Sequence, residues 1–379
     1  MRELVVSQCR IVTAETAVYG TLHTRDGVIT DVQPGASALA SALEWNGDYL
    51  IPGLVELHTD NLERHLRPRP GVAWPSTAAI VAHDAQVSAS AITTVLDAIG
   101  VGYDIGKEYR RDLLPQSLAA LAEAERARAL RAEHFLHLRC EVGDPEVVDE
   151  FAKHADDPRL KLASLMDHTP GQRQFVKDDK FREYYRGTFG LSEAELDAVI
   201  AKRIEQQRDF AAPNRVRLAR LCRDRSITLA SHDDGTVDQV EESVGLGLTV
   251  AEFPTTLTAA AAARKRGMTT ILGAPNVVLG RSQSGNLSAL EAAQHGLLDA
   301  LSSDYVPMSL IYGAFRLTED AGLDLPAAIA TVTRNPARMV GLEDRGEIAV
   351  GQRADFVRVT LIGQAPVVRE VWRLGQRVM

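Results

Sequence analysis

Between residues 52 and 340 short apolar runs alternate with helical stretches, and few folds accept that rhythm. Strands are expected near 53–58, 92–98, 135–141, 160–167, 227–232, 248–253, 269–274 and 299–303. Helix-forming segments such as KEYRRDLLPQSLAALAEAERARALRAE and LSEAELDAVIAKRIEQQRDF separate them. Eight strands alternating with helices close naturally into a parallel (β/α)8 TIM barrel. The chain ends read differently. Residues 1–51 are β-branched runs cut by Asp-Gly and Pro-Gly turns, and residues 341–379 repeat that style. Two β pieces at opposite ends can complete one another, so 1–51 and 341–379 are expected to form a small discontinuous β-sandwich domain around the 52–340 barrel.

Composition narrows the partners. Lys and Arg number 42 against 51 Asp and Glu, a formal charge of −9. That balance argues against sequence-blind nucleic-acid binding, which needs excess cations to displace counterions. It leaves room for a local basic pocket. Cys9, Cys140 and Cys222 lie far apart without CxxC spacing, which excludes a disulfide scaffold and a zinc finger and fits a reducing compartment. No uncharged stretch reaches the roughly 18 residues a membrane helix needs, and MRELVVSQCRIV lacks a signal-peptide core. The expectation is a cytoplasmic protein without a membrane partner. A homodimer is expected from base rates alone.

In a barrel of this kind chemistry belongs at the C-terminal ends of the strands. The first strand ends in His58-Thr59-Asp60, whose imidazole and carboxylate share one side of a strand. The third ends in Glu141, the fourth in His168, the fifth in His232 and the eighth in Asp304. Nitrogen and oxygen donors of this mix suit zinc, and also manganese or iron. The set exceeds one tetrahedral site, which points to one or two divalent ions. A histidine at one strand end is ordinarily a hydrogen-bonded structural residue; convergence over several strand ends is not. His23, His83, His134, His154 and His295 are assigned no site role, His137 is read as barrel filling, and His65 stays open.

Pro52-Gly53-Leu54 followed by His58-Thr59-Asp60 resembles the first-strand motif of the amidohydrolase superfamily. Thr93-Thr94-Val95-Leu96-Asp97 is similar to its second strand, and Asp304 to its eighth-strand aspartate. Asn335-Pro336-Ala337 with Gly351-Gln352-Arg353-Ala354-Asp355 is similar to its return into the small domain. One branch resembles this chain more closely, the α-D-ribose 1-methylphosphonate 5-triphosphate diphosphatases of phosphonate breakdown. The resemblance rests on the run from Leu54 to His65, on Leu165 to Gln174, and on Gly273 to Ser288. It implies a hydrolase that splits a ribose 5-triphosphate into the 5-monophosphate and pyrophosphate. The wider superfamily often carries a second histidine on the sixth strand where this chain has Glu252, and no lysine sits in a bridging place. Glu141 is therefore the expected bridge, and Glu252 an expected ligand or substrate contact.

A triphosphate is strongly anionic, so the loops at the rim must supply cations and polar donors. Arg64 follows the first strand and Arg173 the fourth. Asn276, Arg281, Ser282, Ser284 and Asn286 follow the seventh, in a Gly/Ser-rich run suited to phosphate oxygens. The expected chemistry is metal-assisted hydrolysis, with Asp304 taking the proton of the attacking water. The competing readings are a cyclic-amide hydrolase, deacetylase or deaminase of the same superfamily, and a scaffold without catalysis. Neutral substrates would not require three basic loops, and a scaffold would not require the full ligand set.

Overall fold

The computed structural model describes residues 3–69, 71–102, 110–173, 192–282 and 285–379. Two sheets organise them. The smaller one joins both ends of the chain: β1 (Glu3–Val12), β2 (Ala17–Arg25), β3 (Val28–Pro34), β4 (Leu43–Glu44) and β5 (Tyr49–Pro52) come from the start. After the barrel strands, β14 (Phe356–Ile362), β15 (Ala365–Arg373) and β16 (Gln376–Arg377) come from the end. The order is β16-β15-β14-β5-β1-β2-β3, with β4 beside β1. Residues distant in sequence meet here because β5 runs antiparallel to β14, Tyr49 opposite Val359 and Pro52 opposite Phe356. The alternating side chains of these strands bury Val6, Ile11, Leu22, Leu50, Phe356 and Trp372 in one core, where Phe356 stacks on Trp372 at 5.7 Å.

The larger sheet consists of parallel strands β6 (Leu54–Thr59), β7 (Ile92–Val101), β8 (Glu133–Glu141), β9 (Leu160–Met166), β10 (Thr228–His232), β11 (Val250–Glu252), β12 (Thr269–Gly273) and β13 (Ala300–Ser302), hydrogen-bonded in chain order. A parallel bridge between Thr59 and Asp304 links the end of β6 to the residues following β13. This is the expected (β/α)8 arrangement, with helices between the strands. Parallel strands are covered on both faces, which is why each reads as a near-continuous apolar run. Pro52-Gly53 marks the junction between the two sheets. A Cβ at Gly53 would lie 2.2 Å from Thr93 Oγ1, so only glycine allows β6 to begin so close to β7.

By contacts the chain divides into two compact units, Met1–Asp97 with Ala120–Phe135 and Leu272–Met379, and Ala98–Ala119 with Leu136–Ile271. The three cysteines are buried free thiols. Among the described residues no helix is long and apolar enough to cross a membrane.

Within the first unit, helices α1 (Asn61–Leu66) and α2 (Ser76–Ala89) follow β6. The buried stripe of α2 is Ala79, Ile80, His83, Asp84, Val87 and Ser88, the spacing of one helix face. The two ionisable residues in that stripe, His83 and Asp84, find partners on β7, on β8 and in the two residues before β8. Asp97 accepts from His83 Nε2 at 2.7 Å and from His134 Nδ1 at 2.8 Å. Asp84 accepts the backbone N–H groups of Arg131 and Ala132 at 2.8 and 2.9 Å, pairs with the Arg131 guanidinium at 3.0 Å, and lies 3.4 Å from His134 Nε2.

His83 and His134 respond oppositely to this setting. Burial opposes a charge on both. It prevails at His83, whose pKa is lowered, while the flanking carboxylates of Asp97 and Asp84 override it at His134 and raise that pKa to about 9. An unfolded histidine titrates near 6.5, so this stabilisation is complete below about pH 6.5 and lost as pH rises through about 9. Thermal unfolding followed from pH 6.5 to 9.5 should show a falling Tm, and one buried imidazole resonance should titrate near the upper end. A flat profile without that resonance would contradict the ion-pair assignment.

Candidate metal centre

His58, Asp60 and Asp304 belong to the first unit. Side chains alternate along β6, so Glu56 stands directly below His58 on the same face. Its Oε1 accepts the His58 N–H at 2.7 Å and its Oε2 the Ser303 N–H at 2.7 Å. One completely buried carboxyl thus ties the first strand to the segment after the eighth, and burial pushes its pKa up to about 7. Asp304 donates its N–H to the His58 carbonyl at 3.1 Å and accepts from the Asp60 N–H at 2.9 Å and Thr59 Oγ1 at 3.0 Å. His58 Nε2 lies 3.7 Å from Asp60 Oδ1. A donor atom from each of His58, Asp60 and Asp304 falls within 4.8 Å of the other two. The backbone at Asp304 is left-handed, φ +54°. For a non-glycine residue that conformation is costly and clusters at functional sites; here it turns the chain off β13 at the carboxylate.

Glu141, His168, His232 and Glu252 belong to the second unit. His232 donates Nδ1–H to Glu252 Oε2 at 2.6 Å, and Ser164 Oγ donates to the same oxygen at 2.7 Å. His137 completes this floor through a short contact with Ser164 Oγ. His168 donates Nδ1–H to Glu141 Oε2 at 2.8 Å, while Glu141 Oε1 accepts the His168 backbone N–H at 3.0 Å. Burial opposes protonation of His168, but the Glu141 carboxylate prevails and raises its pKa. The two rings meet edge to face at 5.7 Å. With each Nδ1 proton given to a carboxylate, each ring turns Nε2 away from that carboxylate.

Asp233, with φ +57°, turns back beside His232. Its Oδ2 is 3.5 Å from His232 Nε2, is buried, and accepts no hydrogen bond. A buried carboxylate oxygen without a hydrogen-bond donor, facing an imidazole nitrogen with a lone pair, is what a cation site requires. His168, His232 and Asp233 accordingly form a second group with donor atoms within 4.8 Å.

Several expected roles change. Glu141 uses both oxygens on His168, which makes it the residue that orients that ring; the bridging role assigned from sequence does not match this geometry. Glu252 is fully buried beneath His232 and does not reach an open substrate surface, while its carboxylate is among the groups that could hold a cation. Arg173 is 6% exposed. Its guanidinium pairs closely with Asp234, lies 3.5 Å from Glu242 and donates to the His232 carbonyl at 3.3 Å. A cation neutralised in this way locks the loop after β9 and is not free to grip phosphate. Arg64 and Arg281 are exposed; Asn276, Ser282 and Asn286 are half-buried. Arg64 donates to the Tyr305 carbonyl at 2.7 Å, next to Asp304. Ser288 Oγ accepts the Glu291 N–H at 3.1 Å and caps the helix Ala289–Gln294, so the chain itself fills the helix end expected to cradle phosphate. Ser284 lies outside the described residues.

Sequence reasoning did not find Glu56, Asp233 or Arg203. Glu56 was available from the two-residue period of β6. Asp233 was not, because only a left-handed turn brings it round to His232. Arg203, on the helix Glu193–Gln206, donates to the His168 carbonyl at 3.0 Å. With Lys202, Gln206, Thr169 and Gly143 it lines a cleft against Glu141.

Comparison with known proteins yields consistent likenesses. The amidohydrolase family profile matches residues 116–379. The α-D-ribose 1-methylphosphonate 5-triphosphate diphosphatase of Escherichia coli K12 is 44% identical over 377 residues, covering 99% of this chain and 100% of that protein. Among solved structures, N-acetyl-D-glucosamine-6-phosphate deacetylase from Mycobacterium smegmatis superposes with a TM-score of 0.63 at 16% identity, covering 99% of this chain and 100% of that one. A Xanthomonas campestris adenosine deaminase with bound zinc gives 0.62 at 18% identity, covering 99% and 92%. At such identities the two structures establish the fold alone.

Proposed function

The chain belongs to the amidohydrolase family and is a hydrolase, and from that premise we propose that it cleaves α-D-ribose 1-methylphosphonate 5-triphosphate into the 5-phosphate and pyrophosphate. The observation that carries this reading is the 44% identity extending over 99% of the chain. The donor sets fit a divalent cation, zinc first among zinc, manganese and iron. One ion would be held by His58, Asp60 and Asp304, a second by His168, His232 and Asp233, with Glu141 and Glu252 fixing the two imidazoles. Cations so held supply Lewis-acid polarisation and charge neutralisation at a phosphoryl group.

The protein's own residues do the rest. The Asp304 carboxylate accepts a proton from the attacking water as its oxygen bonds to phosphorus. The anhydride P–O bond breaks, and pyrophosphate departs with the electron pair. Pyrophosphate leaves with little protonation, so no separate general acid is required. Arg64, Asn276, Arg281, Ser282 and Asn286 hold the anionic substrate. Exposed guanidinium groups grip phosphate bidentately, which accommodates a polyanion despite the overall charge of −9.

Incubation of the cation-loaded protein with the ribose triphosphate should release one pyrophosphate per 5-phosphate formed. Hydrolysis of an N-acetyl sugar phosphate or a cyclic amide, with no pyrophosphate released, would overturn the substrate assignment and leave the family intact.

A further inference from the structure

Asn61 opens α1 immediately after Asp60 and is 3% exposed. Its amide Nδ2 lies 2.9 Å from His83 Nδ1 and 3.1 Å from Gln86 Oε1, both on α2. Its backbone N–H reaches Thr59 Oγ1 at 3.3 Å, the hydroxyl that donates to the Asp304 carbonyl. Protons can be placed along this chain in one consistent way. Asp97 accepts from His83 Nε2, which fixes the proton there and leaves Nδ1 as an acceptor. The Asn61 amide then donates one hydrogen to His83 and the other to Gln86, and Gln86 Oε1 also accepts from His65 Nε2 at 2.8 Å. The burial that lowers the His83 pKa keeps it in this neutral form.

His83, Asp97 and His134 stand close enough together to hold a cation themselves. Protons already satisfy them. Each Asp97 oxygen accepts one imidazole N–H, and two carboxylates balance one imidazolium and the Arg131 guanidinium.

We propose that His83, oriented by Asp97, is a positioning residue for the cation site: it anchors Asn61 and thereby holds Asp60 and the Asp304 turn in ligating geometry. The inference rests on the cation-dependent reading above. Carboxylates and carbonyls that orient imidazoles in metal sites act in the same way, and their loss typically weakens metal binding about 10- to 100-fold.

The test is a double-substitution cycle on the full chain, read by competition titration of zinc and by the kcat and KM of pyrophosphate release. His83→Phe and Asn61→Ala should each weaken zinc binding about tenfold and lower kcat with little change in KM. Together they should cost no more than either alone, because they break one connection. His83→Asn places an amide oxygen near the position of Nδ1 and should recover most of the loss. Unchanged zinc affinity in Asn61→Ala would overturn the proposal, as would independent, multiplying effects in the double variant. Equal impairment by Phe and Asn at position 83 would also overturn it. If His83→Phe fails to fold, Asn61→Ala and His83→Asn still decide. Absence of zinc binding by the unsubstituted chain would overturn the function reading together with this one; normal binding with a failed cycle overturns this one alone.

Discussion

Asp304→Asn should lower turnover of the ribose triphosphate by about 10²- to 10⁴-fold, the usual cost of losing a positioned general base. The change is nearly isosteric. It leaves the backbone bonds of residue 304 to His58, Asp60 and Thr59 intact, and with them the left-handed turn that presents the side chain. An amide oxygen can still coordinate a cation, but the amide cannot take a proton from water near neutral pH. The expected pattern is therefore a large fall in kcat with metal content and Tm close to those of the unsubstituted protein. Pyrophosphate release and elemental analysis on the same preparation check both. Retention of more than about a tenth of the turnover would remove Asp304 from the role of base. Loss of metal in proportion to activity would recast it as a ligand only.

The architecture was legible because buried parallel strands carry their own signature. Each of the eight apolar runs coincides with a strand of the larger sheet, including β11, which is only three residues long. Pairing of the chain ends was legible from β-rich character at both termini. The candidate residues at the strand ends followed from the same reading, since a parallel barrel places them at one end of every strand. What a charged side chain does there was less legible. Arg173 looked like a phosphate-binding cation because its neutralising partners, Asp234 and Glu242, lie about sixty and seventy residues further along the chain. Glu141 looked like a bridge because nothing in its strand shows that both oxygens turn to His168. Asp233 depends on a positive φ that no residue pattern announces. His83 was assigned no role, although the α2 stripe Ala79, Ile80, His83, Asp84, Val87, Ser88 places it inward; weighing the histidine alone, without its helical period, concealed its contacts with Asn61 and Asp97.

Removal of the cation should abolish turnover, and added zinc, manganese or iron should restore it to differing degrees, since imidazole and carboxylate donors accept all three. The geometry makes the loss specific. His232 has committed Nδ1 to Glu252 and His168 has committed its own to Glu141, so in each ring Nε2 is the nitrogen turned away from that carboxylate. Asp233 Oδ2 is buried without a hydrogen-bond donor. Once stripped, the second group leaves a carboxylate and two imidazoles crowded together, with His168 drawn toward its charged form by Glu141. Rebinding must displace that proton, so reconstitution should be slower and weaker as pH falls. Glu252→Gln separates this account from simple loss of packing. It keeps the volume and an acceptor oxygen for His232 and Ser164, but removes the negative charge that makes Nε2 a strong donor. Zinc affinity should fall about tenfold, with activity recovered at higher zinc and Tm of the metal-free protein nearly unchanged. A chelated protein that keeps full turnover would exclude cation-assisted hydrolysis. A Glu252→Gln variant with wild-type zinc affinity would show that His232 needs no carboxylate behind it.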